Sequence, residues 1–380
     1  PVCGLMLADM GADVIKVEKV PEGDDSRRFL PPDIKGESAS FMIVNRNKRG
    51  IAVDLKTEDG KEIVRKMLAT ADVVIENYRR GTMERLGLGY EVLRKKNTGL
   101  IYCEISGFGR TGPYRDRSGF DLIAQGMSGL MSITGEGAGR PPVKVGAPVT
   151  DITAGIISAM GVLAAYIHRT KTGEGQRVDT SLYEAGITHT YWQSAMEFAM
   201  GRSPGAIGSA HPLTAPYQAF PTSDGWINIG AANQANWLKL LEVLDTPGIS
   251  DDPRFSTNKL RMNNLNALIP MLNEVLVSRT TTEWLDLLEK AGVPAGPILG
   301  IGEMHRDPQA VAREMVVKTT HSSIGAVDAI GLPVKFSSTP SNIKQGAPVL
   351  GEHSREVLAE YGYAQQEINR LVEDGVVITS

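Results

Sequence analysis

The sequence predicts an α/β protein with a distinct helical middle. Three observations carry that reading. Between residues 12 and 106, four short Val/Ile-rich runs (12–18, 50–55, 72–77 and 100–106) alternate with helical stretches. Such alternation predicts a mainly parallel sheet with crossover helices. Between 233 and 291 the strand signals give way to helices, and from Lys318 the chain returns to strand-like and loop segments. At 380 residues the chain exceeds what one compact core accommodates, so two or three domains are expected.

Each element has a local reason. Residues 1–10 form a short helix stopped by Gly11, a favoured residue just past a helix end. A helix follows Thr57 and runs to Thr70, and another is expected over 90–96. The longest apolar helix signal covers 152–167, where Ile152, Ile156, Met160, Leu163 and Ile167 recur at three- and four-residue steps. A turn and a strand follow over 171–182, then a helix over 183–200 and a linker-like stretch over 201–215. Asp224-Gly225 closes a hairpin. Helices are then expected over 233–244, 263–277 and 282–291, and near the end over 354–361 and 366–374.

Composition excludes several classes. A net charge of −4 gives no reason to expect nucleic acid as a partner. Cys3 and Cys103 are too few for a disulfide framework and lack the spaced companions of a metal site. They suit a reducing compartment, the cytoplasm or a mitochondrial matrix. No apolar run is expected to reach the roughly 18 residues of a membrane span. The small residues after Asp151 suit close packing inside a protein. No basic segment of a signal peptide precedes residue 1, and the first helix and strand read as the middle of a domain, so a preceding segment is expected.

The chain is organised around KVGAPVTDITAG, residues 144–155. It sets Asp151 between a Gly/Pro turn and the long apolar helix. As an N-cap, Asp151 satisfies free helix N–H groups, and the helix terminus holds its carboxylate ionised. The loops expected at the strand carboxyl ends carry Lys19, the segment 77–81 with Asn77, Tyr78, Arg79 and Arg80, and the segment 107–110 ending at Arg110. Lys19, Arg79 and Arg80, together with Lys48, Arg49, Lys56 and Arg85, form a candidate rim for a phosphorylated ligand. No GxGxxG follows a strand and no Walker loop is present, so a dinucleotide or nucleoside triphosphate site is not indicated.

The strings GADVIKVE (11–18), NRNKRGIAVDLKT (45–57), ADVVIENY (71–78), MERLGLGY (83–90), ISGFGRTGPY (105–114) and HRTKTGEGQRVDTSL (168–182) together resemble the class III CoA-transferases. AGVPAGPI (291–298) and LGEH (350–353) extend the resemblance over essentially the whole chain. It implies a Rossmann-like large domain built from both chain ends and a smaller α+β domain, interlocked in a homodimer. The implied bounds are 1–200 and 331–380 for the large domain, 221–305 for the small one, and linkers over 201–220 and 306–330.

By the same resemblance Asp151 is the nucleophile, and Lys19, Val53, Lys56, Asn77, Tyr78, Arg79, Arg85, Ser118 and Asp121 fall where the family contacts CoA. CoA and its thioesters enter as substrates. No tightly bound cofactor, metal, nucleic acid or membrane is implied. Residues 208–220 lack the glycine run of formyl-CoA transferases, which points away from oxalate and toward succinyl-CoA with a larger dicarboxylate. Arg46 or His211 is then a candidate cation for the far carboxylate. Two alternatives stand beside transfer. A 2-methylacyl-CoA racemase of the same fold needs a histidine where Phe120 precedes Asp121. A CoA-binding protein without turnover needs no nucleophile at all.

Overall fold

A computed structural model describes residues 1–341, 343 and 345–380. The described chain divides into two compact units. One comprises residues 1–130, 144–199 and 307–380, and the other residues 131–143 and 200–306. Residues 131–143, expected in the large domain, therefore belong with the second unit.

The first unit holds the alternating elements. Among its strands are β1 (Val14–Glu18), β2 (Lys48–Val53), β3 (Val73–Glu76), β4 (Ile101–Ser106) and β5 (Arg177–Ser181). They do not form one sheet. β1 and β2 run parallel, as do β3, β4 and β5, in two separate three-stranded sheets. The second sheet is parallel throughout. The first is completed by the chain terminus, whose residues 377–378 pair antiparallel with β2 through Val377 and Val53.

Helix α1 (Val2–Asp9) precedes β1, and α2 (Glu58–Leu68) follows β2. Thr57 caps α2 through a 3.0 Å bond from the Gly60 amide. The inner face of α2 buries Ile63 and Met67 in one cluster with Ile51, Val53, Val357, Leu358, Ile368, Leu371 and Val377. Residues more than 280 positions apart in sequence thus share one core, which is why the carboxyl-terminal segment belongs to this unit.

Three further helices place the site: α3 (Asp121–Met127), α4 (Val149–Thr172) and α5 (Leu182–Thr188). The stretch expected as one helix over 183–200 is two, with α6 (Tyr191–Met200) following α5. The helix expected over 90–96 shrinks to Tyr90–Leu93. Helix α4 starts two residues before Asp151 and ends at Gly173, whose φ of 79° needs no Cβ. By length and composition it is the one helix among the described residues that could cross a bilayer, against the sequence expectation. Its small residues explain its packing instead. Ala154, Ala159, Val162 and Ala165 are buried, the last three in a core with Cys3, Leu7, Ile101 and Cys103 from α1 and β4.

The second unit is an antiparallel three-stranded sheet with helices. Tyr217–Pro221 and Trp226–Gly230 form the expected hairpin, and Ala295–Pro297 adds the third strand. Phe220, Trp237, Leu240, Leu268, Leu272, Trp284 and Leu288 fill its core.

Candidate active site

Asp151 lies in the first turn of α4, and it is not the cap. Helix α4 begins at Val149 after Pro148, which offers no side-chain hydrogen bond. The cap comes from another element: Asp121 Oδ1 accepts from the Thr150 amide at 3.0 Å and from Thr150 Oγ1 at 2.8 Å. Its Oδ2 accepts from Gln125 Nε2 at 2.7 Å, and Gln125 Oε1 holds the Val145 amide at 2.9 Å. Asp121 and the fully buried Gln125 therefore fix both the turn before α4 and its first residues.

With the capping done by Asp121, the Asp151 carboxylate is left exposed, and it accepts no hydrogen bond from any described side chain. Its pKa is raised, first by the protein that displaces water around it and then by the Asp121 charge. This reverses the expectation that the helix terminus lowers it. The terminal dipole still favours the anion, but desolvation and the neighbouring carboxylate outweigh it. The result is an unpaired, accessible and more basic carboxylate.

The loop that leads into Asp121 is pinched shut by glycine. A Cβ on Gly107 would stand 2.7 Å from the Cα of Gly119, a separation that real side chains do not reach. The two backbones touch there, which places Phe120 and Asp121 beside the end of β4. Ser118 is exposed in this loop, and Phe120 is 76% exposed.

A second feature lies at the carboxyl ends of β3, β4 and β5. Glu76 faces Glu104 across β3 and β4, and Glu104 faces Asp179 across β4 and β5. Three acids side by side require cations. Arg110 Nη2 meets Glu76 Oε1 at 2.5 Å, and Arg177 Nη2 meets Glu104 Oε2 at 2.6 Å. These residues, with Arg79, Arg80, Gly81, Glu84 and Thr111, line a cavity of about 380 Å³. Asp151 is not among them. Burial pushes Glu76 up to about 7 against the opposing pull of Arg110.

Residues 1–354 match the sequence profile described as CoA-transferase family III. The chain belongs to this family. A succinate–glutarate CoA-transferase of Agrobacterium fabrum is 42% identical over 95% of this chain and 91% of its own. A succinyl-CoA:glutarate CoA-transferase of Homo sapiens is 36% identical over 99% and 86%. A solved CAIB/BAIF family protein from Brucella suis superposes with a TM-score of 0.85 at 40% identity, covering 95% of each chain. The protein is a family III CoA-transferase, and enzymes of this kind take CoA thioesters as substrates.

The remaining candidate residues fall into two groups. Lys56, Asn77, Tyr78 and Arg79 are exposed just past the ends of β2 and β3, and Arg85 is exposed at the end of the short helix Thr82–Arg85. Lys19 is exposed too, and pairs with Asp25 at 2.7 Å. Val53 is fully buried in β2, so it offers a ligand only its backbone. Asp121 has both carboxylate oxygens engaged by Thr150 and Gln125, which makes it a scaffold for Asp151 rather than a free ligand group.

Arg46 is a correction: it is 2% exposed, and its Nη2 meets Asp9 Oδ2 at 2.5 Å. A guanidinium sealed in a buried pair cannot reach for a substrate carboxylate. His211 belongs to the second unit, where its Nδ1 accepts from the Leu213 amide at 3.1 Å and its ring packs edge-on against Tyr217. Among the described residues no cluster of His, Cys, Asp or Glu is arranged to hold a metal ion.

The residues that sequence reasoning missed are Gln125 and the Glu76–Arg110–Glu104–Arg177 cluster. The signal was present. Glu104 interrupts an otherwise apolar strand, ILE-TYR-CYS-GLU-ILE in order over 101–105, and a buried acid there demands a partner.

Proposed function

We propose that this enzyme moves CoA from succinyl-CoA to a dicarboxylic acid of about the length of glutarate, with Asp151 as the covalent nucleophile. The observation that carries the proposal is the Asp151 carboxylate itself, unpaired, accessible and held in the first turn of α4 by a cap supplied from Asp121. A structural acid would be expected to take a partner, whereas a nucleophile must keep its oxygens free.

The steps balance as two exchanges. An Asp151 oxygen attacks the succinyl thioester carbonyl, the C–S bond breaks, and CoA leaves as its thiolate. The thiolate attacks the aspartyl carbonyl of the mixed anhydride and releases succinate, leaving an aspartyl-CoA thioester. The acceptor carboxylate then attacks that thioester, forming a second anhydride and freeing the thiolate. Attack of the thiolate on the acceptor carbonyl yields the new acyl-CoA and restores Asp151. A thiolate is a good leaving group, so the scheme calls for oxyanion donors rather than a Lewis acid.

Lys19, Lys56, Asn77, Tyr78, Arg79 and Arg85 are the proposed CoA contacts: all are exposed, and the four Lys and Arg among them carry the charge that phosphates require. Dicarboxylate specificity is supported by the activities that the Agrobacterium and human relatives are named for. Phe120 stands against the racemase reading, since a phenyl ring cannot carry a proton at the position before Asp121.

A second copy of the chain is the proposed partner. Helix α4 turns Ile152, Ile156, Met160, Leu163 and Ile167 outward on one side, between 38% and 64% exposed. Tyr191, Trp192 and Phe198 of α6 are also exposed in the same unit. Apolar surface on this scale marks an interface. Acceptor screening with succinyl-CoA tests the substrate assignment: glutarate-sized dicarboxylates should be converted and monocarboxylates not. Conversion of monocarboxylates alone would refute it.

A further inference from the structure

We propose that Arg110 is a positioning residue for the CoA substrate, acting through the peptide of Tyr78. The inference rests on the reading that the loop after β3 binds CoA, and it adds what holds that loop in place.

The geometry is a closed ring. Glu76 Oε2 accepts from the Tyr78 amide at 2.6 Å, and Arg110 Nη1 donates to the Tyr78 carbonyl at 3.0 Å. Glu76 and Arg110 in turn meet each other at 2.5 Å. One ion pair therefore grips both ends of one residue, while the Tyr78 ring stays 45% exposed and available to a ligand. A loop residue with a free side chain and a doubly held backbone is built to present that side chain in one orientation.

Arg110 is itself fixed from below. Its amide donates to Asp179 Oδ2 at 3.0 Å, and its Nε lies 3.1 Å from Glu104 Oε1 without hydrogen-bond alignment. Glu104 is shared with Arg177. Only a guanidinium presents two donors on one plane to a carboxylate and a carbonyl together. A lysine ammonium supplies the charge as a point and cannot hold both in that geometry.

The ring also contains a titrating member, because burial pushes the Glu76 carboxyl up to about 7. Facing it are Arg110 of the loop after β4 and Glu104 and Tyr102 of β4 itself, with Arg177 and Asp179 of β5 behind and Glu84 across the cavity. Below pH 7 Glu76 takes up a proton, the ion pair with Arg110 weakens, and the grip on Tyr78 loosens. Acyl-CoA affinity should then fall while Asp151 chemistry keeps its own dependence.

The test compares wild type, Arg110→Gln, Arg110→Lys and Glu76→Gln by steady-state kinetics with succinyl-CoA and glutarate. Calorimetric titration with free CoA and active-site titration of the folded fraction accompany the rates. Arg110→Gln should raise KM for succinyl-CoA by about tenfold, leaving kcat per active site within about twofold and KM for glutarate unchanged. Arg110→Lys should fall on the same side with a smaller rise.

Glu76→Gln keeps an acceptor for the Tyr78 amide and removes the titration. Between pH 8 and 6 the wild-type KM for succinyl-CoA should rise by more than that of Glu76→Gln, the CoA phosphates being common to both. Equal pH dependence in the two proteins overturns the proposal, as does a loss confined to kcat. If wild type binds CoA and Arg110→Gln binds it as tightly, the positioning role alone fails. If wild type takes up no CoA, the loop reading falls with it.

Discussion

Asp121 performs two tasks that substitution can separate: it caps α4, and its charge raises the pKa of Asp151. Asp121→Ala removes both. It strands the Thr150 amide and hydroxyl, which are fully buried and bonded to Asp121 at 3.0 and 2.8 Å. Loss of a side-chain cap costs about 1 kcal/mol, and leaving a buried polar group unsatisfied costs about 1–3 kcal/mol. The sum is about 2–4 kcal/mol, which for a unit of this size lowers Tm by roughly 4–10 °C.

Asp121→Asn keeps an oxygen for Thr150 and removes the charge, but it turns its amide nitrogen toward the Gln125 Nε2 that donates to Oδ2 in the wild type, so its Tm should fall by less than that of Asp121→Ala. Its effect should appear in activity. The Asp151 carboxylate is active when ionised, and its raised pKa places the loss of activity at a higher pH than for an ordinary aspartate. Without the Asp121 charge that pKa falls, so the acid limb of kcat at saturating succinyl-CoA should move to lower pH. Differential scanning calorimetry and pH–rate profiles read the two effects separately. An acid limb unmoved in Asp121→Asn, or moved upward, refutes the electrostatic assignment. An unchanged Tm in Asp121→Ala refutes the cap.

Other outcomes follow from the packing. Arg46→Met leaves Asp9 buried without its cation and should cost roughly 3–5 kcal/mol in urea unfolding, with no selective rise in KM for the acceptor acid. Gly155→Ala puts a Cβ 2.6 Å from Val2 Cβ, so α1 must shift away from α4, at about 1–3 kcal/mol by thermal denaturation. Met160→Glu, at 64% exposure on the outward side of α4, should leave Tm nearly unchanged for a monomer and shift sedimentation equilibrium from dimer to monomer.

Much of the fold was legible because its signals are local. The four Val/Ile runs became β1 to β4, the strand expected within 171–182 became β5, Thr57 capped α2, and Asp224-Gly225 closed its hairpin. What was not legible depends on residues far apart in sequence. Two sheets stand where one was expected, because which strands pair is decided by cores such as the cluster of Ile51 and Val53 with Val357 and Leu371. The cap of α4 comes from Asp121, 29 positions before Thr150, so local reasoning gave that task to Asp151 and misjudged the direction of its pKa. Arg46 reads as a basic loop residue until its buried contact with Asp9 is seen. Arg110 was visible in a strand-end loop, but its two-sided hold on Tyr78 needs the segments that follow β3 and β4 to meet.

The central claim is that Asp151 carries CoA covalently. It is tested most directly by incubating the enzyme with succinyl-CoA in the absence of acceptor, quenching in acid and mapping peptides by mass spectrometry. The account predicts an adduct on Asp151 equal to CoA less one water, discharged on adding glutarate and absent from Asp151→Asn, which should also lose at least about a thousandfold in kcat. Full transfer activity in Asp151→Asn, or an adduct on another residue that glutarate discharges, would contradict it.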